Sequence, residues 1–169
     1  VAPLYGGVDP SVHQPAARRQ RYACDLSYLG TFAPDRQDLL EKHFLQPAVL
    51  LPSRHFHLAG AMYPADFPWQ KNIFYIPHLA PPEHASFYCS SRLTLNITRE
   101  AMARYGYCPS GRLFEAAACG APILSDSWEG LDTFFTPGKE ILLTGSVDPT
   151  SDAIHAIKMS DAELRRIGE

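Results

Sequence analysis

The sequence predicts an α/β fold in which helices cover both faces of a parallel sheet. From residue 26 onward, short strand-like apolar runs alternate with helical patterns, and this order is typical of a parallel sheet with crossover helices. The chain has 169 residues, enough to bury roughly 70% of its unfolded surface in one compact core. Residues 1–22 contain three prolines and no periodic pattern, so we expect a linker there and one domain over residues 23–169.

The first half of the chain is expected to supply three strands and two helices. Pro34 and Pro81 open the helices, because proline is well tolerated in the first helical turn. Pro47 falls inside the first helix, where its missing N–H predicts a kink or a break. The predicted strands lie at 27–30, 54–60 and 72–76, and the predicted helices at 34–51 and 81–89.

The second half continues the alternation with three further strands. Ser110 and Gly111 begin a helix, and Gly120 follows its end, where glycine readily adopts the left-handed cap conformation. Residues 98–109 are predicted as a loop. The predicted strands lie at 92–97, 122–124 and 140–143, and the predicted helices at 110–120 and from 151 onward.

Charge and composition exclude several classes of protein. A net charge of -3 and a pI near 6.2 disfavour a nucleic-acid binder, since such proteins carry a basic face. No stretch free of charged residues approaches the ~20 apolar residues of a membrane-spanning helix, so no transmembrane segment is predicted. The four cysteines lack metal-ligand spacing and follow no secretory signal, so reduced thiols and a cytoplasmic location are expected. Any anion that the protein binds is therefore expected to be small.

The strongest candidate site is the start of the helix at residue 110. In open parallel sheets, ligands bind beyond the carboxyl ends of the strands, where the strand order reverses. Ser110, Gly111 and Arg112 would bring free backbone N–H groups and a guanidinium together, which suits a phosphate, although an ordinary capped helix is the alternative. Glu115 follows among apolar residues, where a carboxylate needs a partner. A ribose diol would satisfy it, and Arg112 is the simpler partner.

Two further polar loops follow predicted strands. The candidate ligand contacts in these loops are Gly30, Thr31 and Arg36 after the first strand, and Asn96, Thr98 and Arg99 after the fourth. An isolated arginine such as Arg36 is more often a solvated helix residue than a phosphate ligand. Thr98 has a similar alternative, because threonine commonly caps a helix.

Histidines form a third group of candidates. His78 follows the third strand and is well placed for a ligand. His55 and His57 share one face of the second strand but lack supporting carboxylate or thiol ligands, so no metal site is predicted. The Gly-x-Gly-x-x-Gly fingerprint and the phosphate loop ending in Gly-Lys-Ser/Thr do not occur, which disfavours dinucleotide enzymes and ATP hydrolases.

Several segments of the chain resemble one known family. The matching segments are Gly7-Val8-Asp9 with Pro15, Tyr28-Leu29-Gly30, Phe114-Glu115-Ala116-Ala117-Ala118-Cys119-Gly120-Ala121-Pro122-Ile123-Leu124-Ser125, and Pro137-Gly138-Lys139-Glu140-Ile141-Leu142. Together they resemble the C-terminal domain of group 1 (family 4) glycosyltransferases. The run Ser-x-Arg-Leu-Phe-Glu-Ala-Ala-Ala-Cys-Gly looks most like the spore-maturation-protein branch of that family.

The resemblance implies the donor-binding half of a GT-B enzyme, which consists of two Rossmann-like domains. This half would bind a nucleoside-diphosphate sugar, and the acceptor would lie on an N-terminal domain that the chain lacks. By their place in the motifs, Glu115 would bind the nucleotide ribose and Gly30 would lie near the donor diphosphate. The main chain of His78 and Leu79 would contact the base, and Arg36 lies near a basic residue of the family's first loop.

The implied reaction develops negative charge on the leaving diphosphate, which arginines and helix N-termini stabilise. The residues expected in that role are Arg112, Arg99 and Arg36, with Ser110 and Gly111 as hydrogen-bond donors. No metal ion or other cofactor is expected for this chemistry.

One departure from the family pattern leaves the function open. Eight positions before Glu115, where family members often have a glutamate against the donor sugar, this chain has Tyr107. Three hypotheses therefore stand: a glycosyltransferase donor domain that is inactive alone, a non-catalytic nucleotide-sugar-binding or assembly module, and a sugar epimerase of the same architecture.

Overall fold

A six-stranded parallel sheet forms the centre of the molecule. The computed structural model describes residues 5–145 and 147–168. The strands are β1 (Cys24–Leu29), β2 (Phe56–Ala59), β3 (Ile73–Ile76), β4 (Ser91–Asn96), β5 (Ile123–Ser125) and β6 (Leu142–Leu143). Their order across the sheet is β3-β2-β1-β4-β5-β6, and every neighbouring pair is parallel. The chain therefore reverses its direction of travel across the sheet between β1 and β4, where such sheets open a crevice.

Helices cover both faces of this sheet. They are α1 (Gln37–Leu40), α2 (Gln46–Leu50), α3 (His84–Ser90), α4 (Glu100–Tyr105), α5 (Gly111–Ala118), α6 (Pro149–Lys158) and α7 (Asp161–Gly168). One apolar cluster packs Leu26 and Tyr28 of the sheet against Phe44, and a second packs Ile123 against Phe87. The predicted fold class is thus confirmed, because a parallel sheet with two buried faces requires helices on each.

The six predicted strands all occur, with ends that differ from the prediction by up to three residues. The first predicted helix is a continuous helical segment of mixed type. It begins with the 3₁₀ turn Pro34–Arg36, and the π turn Glu41–Leu45 separates α1 from α2. Pro47 lies two residues after the end of that π turn and cannot donate to the carbonyl four residues before it. The widened turn accommodates the proline, so the predicted disturbance takes the form of a π turn.

One prediction in the second half was wrong. Residues 98–109 were predicted as a loop, yet α4 lies within them and ends at Gly106, which has a φ of 65°. This helix has no buried residue, so it lacks the apolar periodicity that reveals most helices in a sequence. The helix predicted from residue 151 occurs as α6 and begins two residues earlier, where the Asp148 carboxylate accepts from the backbone N–H of Ser151 and caps it.

The segment preceding β1 lies against α3. The backbone N–H of Ala16 contacts Cys89 Sγ at 3.3 Å, and that of Arg19 donates to Ser90 Oγ at 2.8 Å. The division into a linker at 1–22 and a domain at 23–169 stays a prediction. No helix in the described ranges is long and apolar enough to cross a membrane.

Candidate functional site

A cleft of about 400 Å³ opens beside the reversal between β1 and β4. Five of the residues predicted as ligand contacts line it together, namely Gly30, Thr31, Arg36, His78 and Arg112. The loop after β2 adds Gly60, and the start of α3 adds His84. Because the carboxyl ends of parallel strands meet at one edge of the sheet, these residues converge although the sequence separates them widely.

Two glycines bring the loops after β1 and β2 into contact. Gly60 has a φ of 149°, and a Cβ atom there would lie 2.1 Å from the carbonyl oxygen of Gly30. The hydroxyl of Tyr63 donates to that same oxygen at 3.0 Å, and the hydroxyl of Tyr75 donates to the Gly60 carbonyl at 3.0 Å. Hydrogen bonds from aromatic side chains thus hold the floor of the cleft in place.

Arg112 projects from α5 into this cleft beneath Gly30. A Cβ atom on Gly30 would lie 2.8 Å from a terminal nitrogen of Arg112, so only glycine leaves room for the guanidinium. Nε of Arg112 donates to the Leu29 carbonyl, Nη1 donates to Asn96 Oδ1 at 3.3 Å, and the guanidinium lies over the Tyr28 ring. All of these acceptors are neutral, so they orient the arginine without cancelling its charge.

Arg36 is buried at the same edge, contrary to the alternative that it is a solvated helix residue. Its exposed fraction is only 8%, and one terminal nitrogen donates to the carbonyl of Thr31. Its Nε is buried and has no hydrogen-bond partner among the residues that the structure describes. Over the same ranges neither Arg36 nor Arg112 forms an ion pair. A buried charge that forms no ion pair is costly, which makes this edge receptive to an anion.

The N-terminus of α5 lies beside Arg112 and keeps its backbone donors open. Ser110 occupies the cap position, but its side chain makes no capping hydrogen bond. Gly111 is exposed, and a Cβ atom there would meet no other atom within 4 Å. The first N–H groups of the helix therefore have room for a bound acceptor.

Glu115 lies one turn further along α5 and has three polar neighbours. The Tyr88 hydroxyl donates to Oε2 at 3.2 Å, His84 Nδ1 lies 3.6 Å from Oε2, and His13 Nε2 lies 4.0 Å from Oε1. The contact with His84 holds the pKa of the Glu115 carboxyl below its usual range. The simpler partner expected from the sequence, Arg112, makes its hydrogen bonds to Leu29 and Asn96 instead.

Seven of the predicted residues do not line this cleft, namely Asn96, Ser110, Gly111, Glu115, Thr98, Arg99 and Tyr107. The last three make contacts elsewhere. The Thr98 hydroxyl and backbone N–H donate to Asp126 Oδ1 at 3.0 Å, so both groups are satisfied inside the protein. Arg99 is exposed and pairs with Asp35 at 2.7 Å. The Tyr107 ring packs against Gly130, where an added Cβ atom would lie 2.3 Å from a ring carbon. The backbone N–H of Tyr107 donates to the Glu129 carbonyl.

Some residues of this region were not predicted from the sequence. Gly60 ends the second strand as Gly30 ends the first, so its position was a usable signal. Tyr63 and His84 carried no such signal, because their contacts depend on how separate loops pack. His13 lies in the segment predicted as a linker, where no ligand contact was expected.

The sheet order and the reversal define a Rossmann-like α/β domain, which is the fold of one half of a GT-B glycosyltransferase. The chain belongs to the glycosyl transferase-like family, whose profile matches residues 36–169. The comparison with curated proteins gave no match.

Solved structures share the fold at low sequence identity. Sucrose-phosphate synthase from Thermosynechococcus elongatus is 18% identical with a TM-score of 0.72, over 96% of this chain and 44% of that one. The C-terminal domain of the group 1 glycosyl transferase LpcC from Francisella tularensis is 17% identical with a TM-score of 0.69, over 96% and 93%. Anabaena HepE in complex with UDP-glucose is 15% identical with a TM-score of 0.66, over 97% and 49%. The chain thus spans about half the length of the first and third of these proteins.

Proposed function

We propose that this chain is the donor-binding half of a glycosyltransferase, closest to the spore-maturation-protein branch. It would bind a nucleoside-diphosphate sugar from which a hexosyl group passes to an acceptor held by a separate N-terminal domain. The observation that carries the proposal is the pair of uncompensated guanidinium groups of Arg36 and Arg112 in one cleft. That HepE was solved with UDP-glucose supports this class of donor.

The diphosphate of the donor is proposed to lie between these arginines and the N-terminus of α5. Cleavage of the sugar–phosphate bond leaves negative charge on the diphosphate, and fixed positive groups lower the barrier by stabilising that charge. Ser110 and Gly111 would add hydrogen bonds. The two arginines supply the positive charge that a metal ion provides elsewhere, so the transfer itself is proposed to need no metal.

The nucleoside is proposed to lie along Glu115 and the loop after β3. A carboxylate whose pKa is held low stays ionised at neutral pH and can accept both hydroxyls of a ribose diol. His78 is exposed in the cleft lining and the adjacent Leu79 is buried, which would leave their main chain facing a base. Asn96 Oδ1 accepts a hydrogen bond from the Arg112 guanidinium, so Asn96 would contribute by orienting Arg112.

Tyr107 favours a second candidate function, a binding module without transfer. Its side chain is half exposed and rests on Gly130, and the phenol replaces the carboxylate expected against the donor sugar. A module of this kind would bind the same donor and fail to transfer the sugar. In either case we expect the cytoplasm as the compartment, since nucleotide sugars and the four free thiols fit it.

Calorimetric titration of the purified chain with UDP, GDP and ADP in the presence of EDTA tests donor binding. We expect one of these nucleotides to bind, and Arg112→Gln to weaken it at least tenfold because a charged hydrogen bond to phosphate is lost. Arg54→Gln is the matched control, since this arginine is engaged with Asp25 away from the cleft. If none of the three binds at millimolar concentration, the donor site does not exist.

Glu115→Ala tests the ribose role separately. Loss of a charged hydrogen bond should cost about 1.5 to 3 kcal/mol of nucleotide binding free energy. An unchanged affinity in this variant would remove the ribose assignment while leaving the phosphate site intact.

Turnover distinguishes the enzyme from the module. The full-length protein, incubated with the nucleotide sugar that its nucleotide preference indicates, should release nucleoside diphosphate in step with sugar transfer. Tight donor binding without transfer or hydrolysis would favour the module.

A further inference from the structure

We propose that His13, His84 and Glu115 form a binding site for a zinc ion. Their nearest ligand atoms all lie within 4.8 Å of one another. The three residues come from the segment before β1, from the start of α3 and from the middle of α5, so only the folded chain brings them together. Two imidazoles and one carboxylate are a ligand set that zinc accepts in proteins.

The hydrogen bond of His84 fixes which ring nitrogen faces the cluster. Its Nε2 lies 3.3 Å from the Leu79 carbonyl, which can only accept, so Nε2 carries the hydrogen. Nδ1 faces Glu115 Oε2, 3.6 Å away. It carries either the proton through which His84 lowers the pKa of Glu115 or, when that proton is released, a lone pair for a metal ion. Two electron-rich atoms repel each other at this separation unless a proton or a metal ion lies between them. A metal-binding histidine commonly donates its other N–H to a carbonyl in this way.

His13 adds a second imidazole that lacks other partners. Both of its ring nitrogens are buried and make no hydrogen bond within the part of the chain that the structure describes. Its Nε2 lies 4.0 Å from Glu115 Oε1. An imidazole that has lost water without gaining a partner is unfavourable, and coordination of a metal would satisfy it.

The backbone around His13 is well held. Asp9 Oδ1 accepts from the backbone N–H and the hydroxyl of Ser11, and the backbone N–H of His13 closes a turn onto the Asp9 carbonyl. The contact of Ala16 with Cys89 then ties the segment to α3, the helix that carries His84. Because these hydrogen bonds already order the segment, holding His13 against Glu115 and His84 costs little further conformational entropy.

The carboxylate ligand is also oriented from behind. The Tyr88 hydroxyl donates to Glu115 Oε2, as an outer partner of a metal-bound carboxylate would. Bond lengths of ~2.0–2.2 Å to zinc require the three ligand atoms to approach one another by about 1 Å. Small side-chain rotations supply that movement. Three protein ligands leave a fourth tetrahedral position for water.

The donor set selects among metals. Mg²⁺ and Ca²⁺ prefer oxygen ligands alone, whereas imidazole nitrogen favours Zn²⁺ and its first-row neighbours. One consequence rests on the proposed function: because Glu115 is the proposed ribose ligand, bound zinc and bound nucleotide would exclude each other. Zinc would then act as an inhibitor of donor binding and take no part in the transfer.

The test is titration of the EDTA-stripped, dialysed chain with ZnCl₂ in the absence of nucleotide. We expect one zinc per chain and at least tenfold weaker binding in His13→Gln and in His84→Gln. MgCl₂ should give no binding. His155→Gln is the matched control, since His155 is exposed on α6. Zinc binding that is absent, or equal in all four proteins, would overturn the site.

Two further measurements test whether a cysteine binds the metal instead and whether the variants are folded. The Co²⁺ form should show no thiolate charge-transfer band, and such a band would assign the metal to a cysteine and overturn the site. Circular dichroism establishes that each variant is folded. In EDTA, His155→Gln should bind UDP as the wild type does. Failure of all nucleotide binding would thus refute the proposed function and leave the zinc titration standing.

Discussion

Arginines lie at both ends of the central sheet, but their partners differ: carboxylates at one end and neutral groups at the other. At the amino ends of the strands, the Asp25 carboxylate accepts from Arg54 at 2.9 Å and from Arg92 at 3.2 Å, and Arg92 also pairs with Asp161 at 2.6 Å. At the carboxyl ends, Arg36 and Arg112 bond to neutral groups only, as far as residues 5–145 and 147–168 are concerned. Compensated charge stabilises a fold, whereas uncompensated charge held in place prepares a site for an anion.

The same contrast separates the predicted arginines. Arg99 is exposed and pairs with Asp35, so its charge is compensated, like the charges of the arginines at the amino ends of the strands. Arg36 and Arg112 would give up most of their hydration whether or not a ligand is present. We therefore expect these two, more than Arg99, to carry the affinity for a diphosphate.

Gly60→Ala should have the largest effect, because it destroys the geometry of the carboxyl end. The added methyl would collide with the Gly30 carbonyl at a backbone φ that L-residues rarely adopt. We expect a loss of about 4 kcal/mol in the free energy of unfolding. Gly138→Ala is the matched control: its φ of 77° is also positive, but nothing lies within 4 Å, so about 1 kcal/mol should be lost. Urea denaturation of both variants measures the difference, and equal losses would contradict the steric argument.

Asp25→Ala should mainly destabilise the amino end. It leaves Arg54, Arg92 and the backbone N–H of His55 without their shared acceptor. We expect a loss of about 3 kcal/mol in the free energy of unfolding and no change in nucleotide affinity for the folded protein. A change in affinity larger than about threefold, roughly 0.7 kcal/mol, would show that the two ends of the sheet are coupled.

Arg36→Gln should produce the opposite pattern. Removing a buried cation without a counter-charge should alter the free energy of unfolding by less than about 1 kcal/mol. Nucleotide affinity should fall about tenfold, or about 1.4 kcal/mol. Parallel denaturation and calorimetry give both quantities. A large loss of stability with unchanged affinity would make Arg36 a structural residue.

Asp126→Asn should have the smallest effect, visible in the pH dependence of stability. Burial raises the pKa of the Asp126 carboxyl, against the opposing hydrogen bonds from Thr98. The folded state therefore binds this proton more tightly than the unfolded state, and its contribution to stability declines as pH rises above the unfolded value.

The asparagine variant avoids this decline and keeps an oxygen acceptor for Thr98. Its stability relative to the wild type should rise with pH from about pH 4, the ordinary pKa of an aspartate in the unfolded chain, and level off above the folded pKa. Urea denaturation at several pH values measures this. A difference that stays flat, or that falls with rising pH, would contradict the burial argument.

The sequence was sufficient for the architecture because strand and helix periodicities are local. The six strands, the left-handed Gly120 and the disturbance at Pro47 all follow from residues close in the chain. The helix α4 was missed for the same reason, since an exposed helix leaves no apolar pattern. At the site, the position after a strand was enough to select Gly30 and Arg36, and the predicted start of a helix selected Arg112.

Only the tertiary structure determines which groups contact those residues. Whether an arginine is paired depends on which carboxylates pack within a few ångströms, and such contacts join residues far apart in the sequence: Arg112 meets Leu29, and His13 meets Glu115. By itself the sequence determined the α/β class, the strand-end loops that carry polar residues and the family resemblance. The fold decided that two arginines remain uncompensated and that two histidines face one carboxylate, because charge compensation is a property of three-dimensional packing.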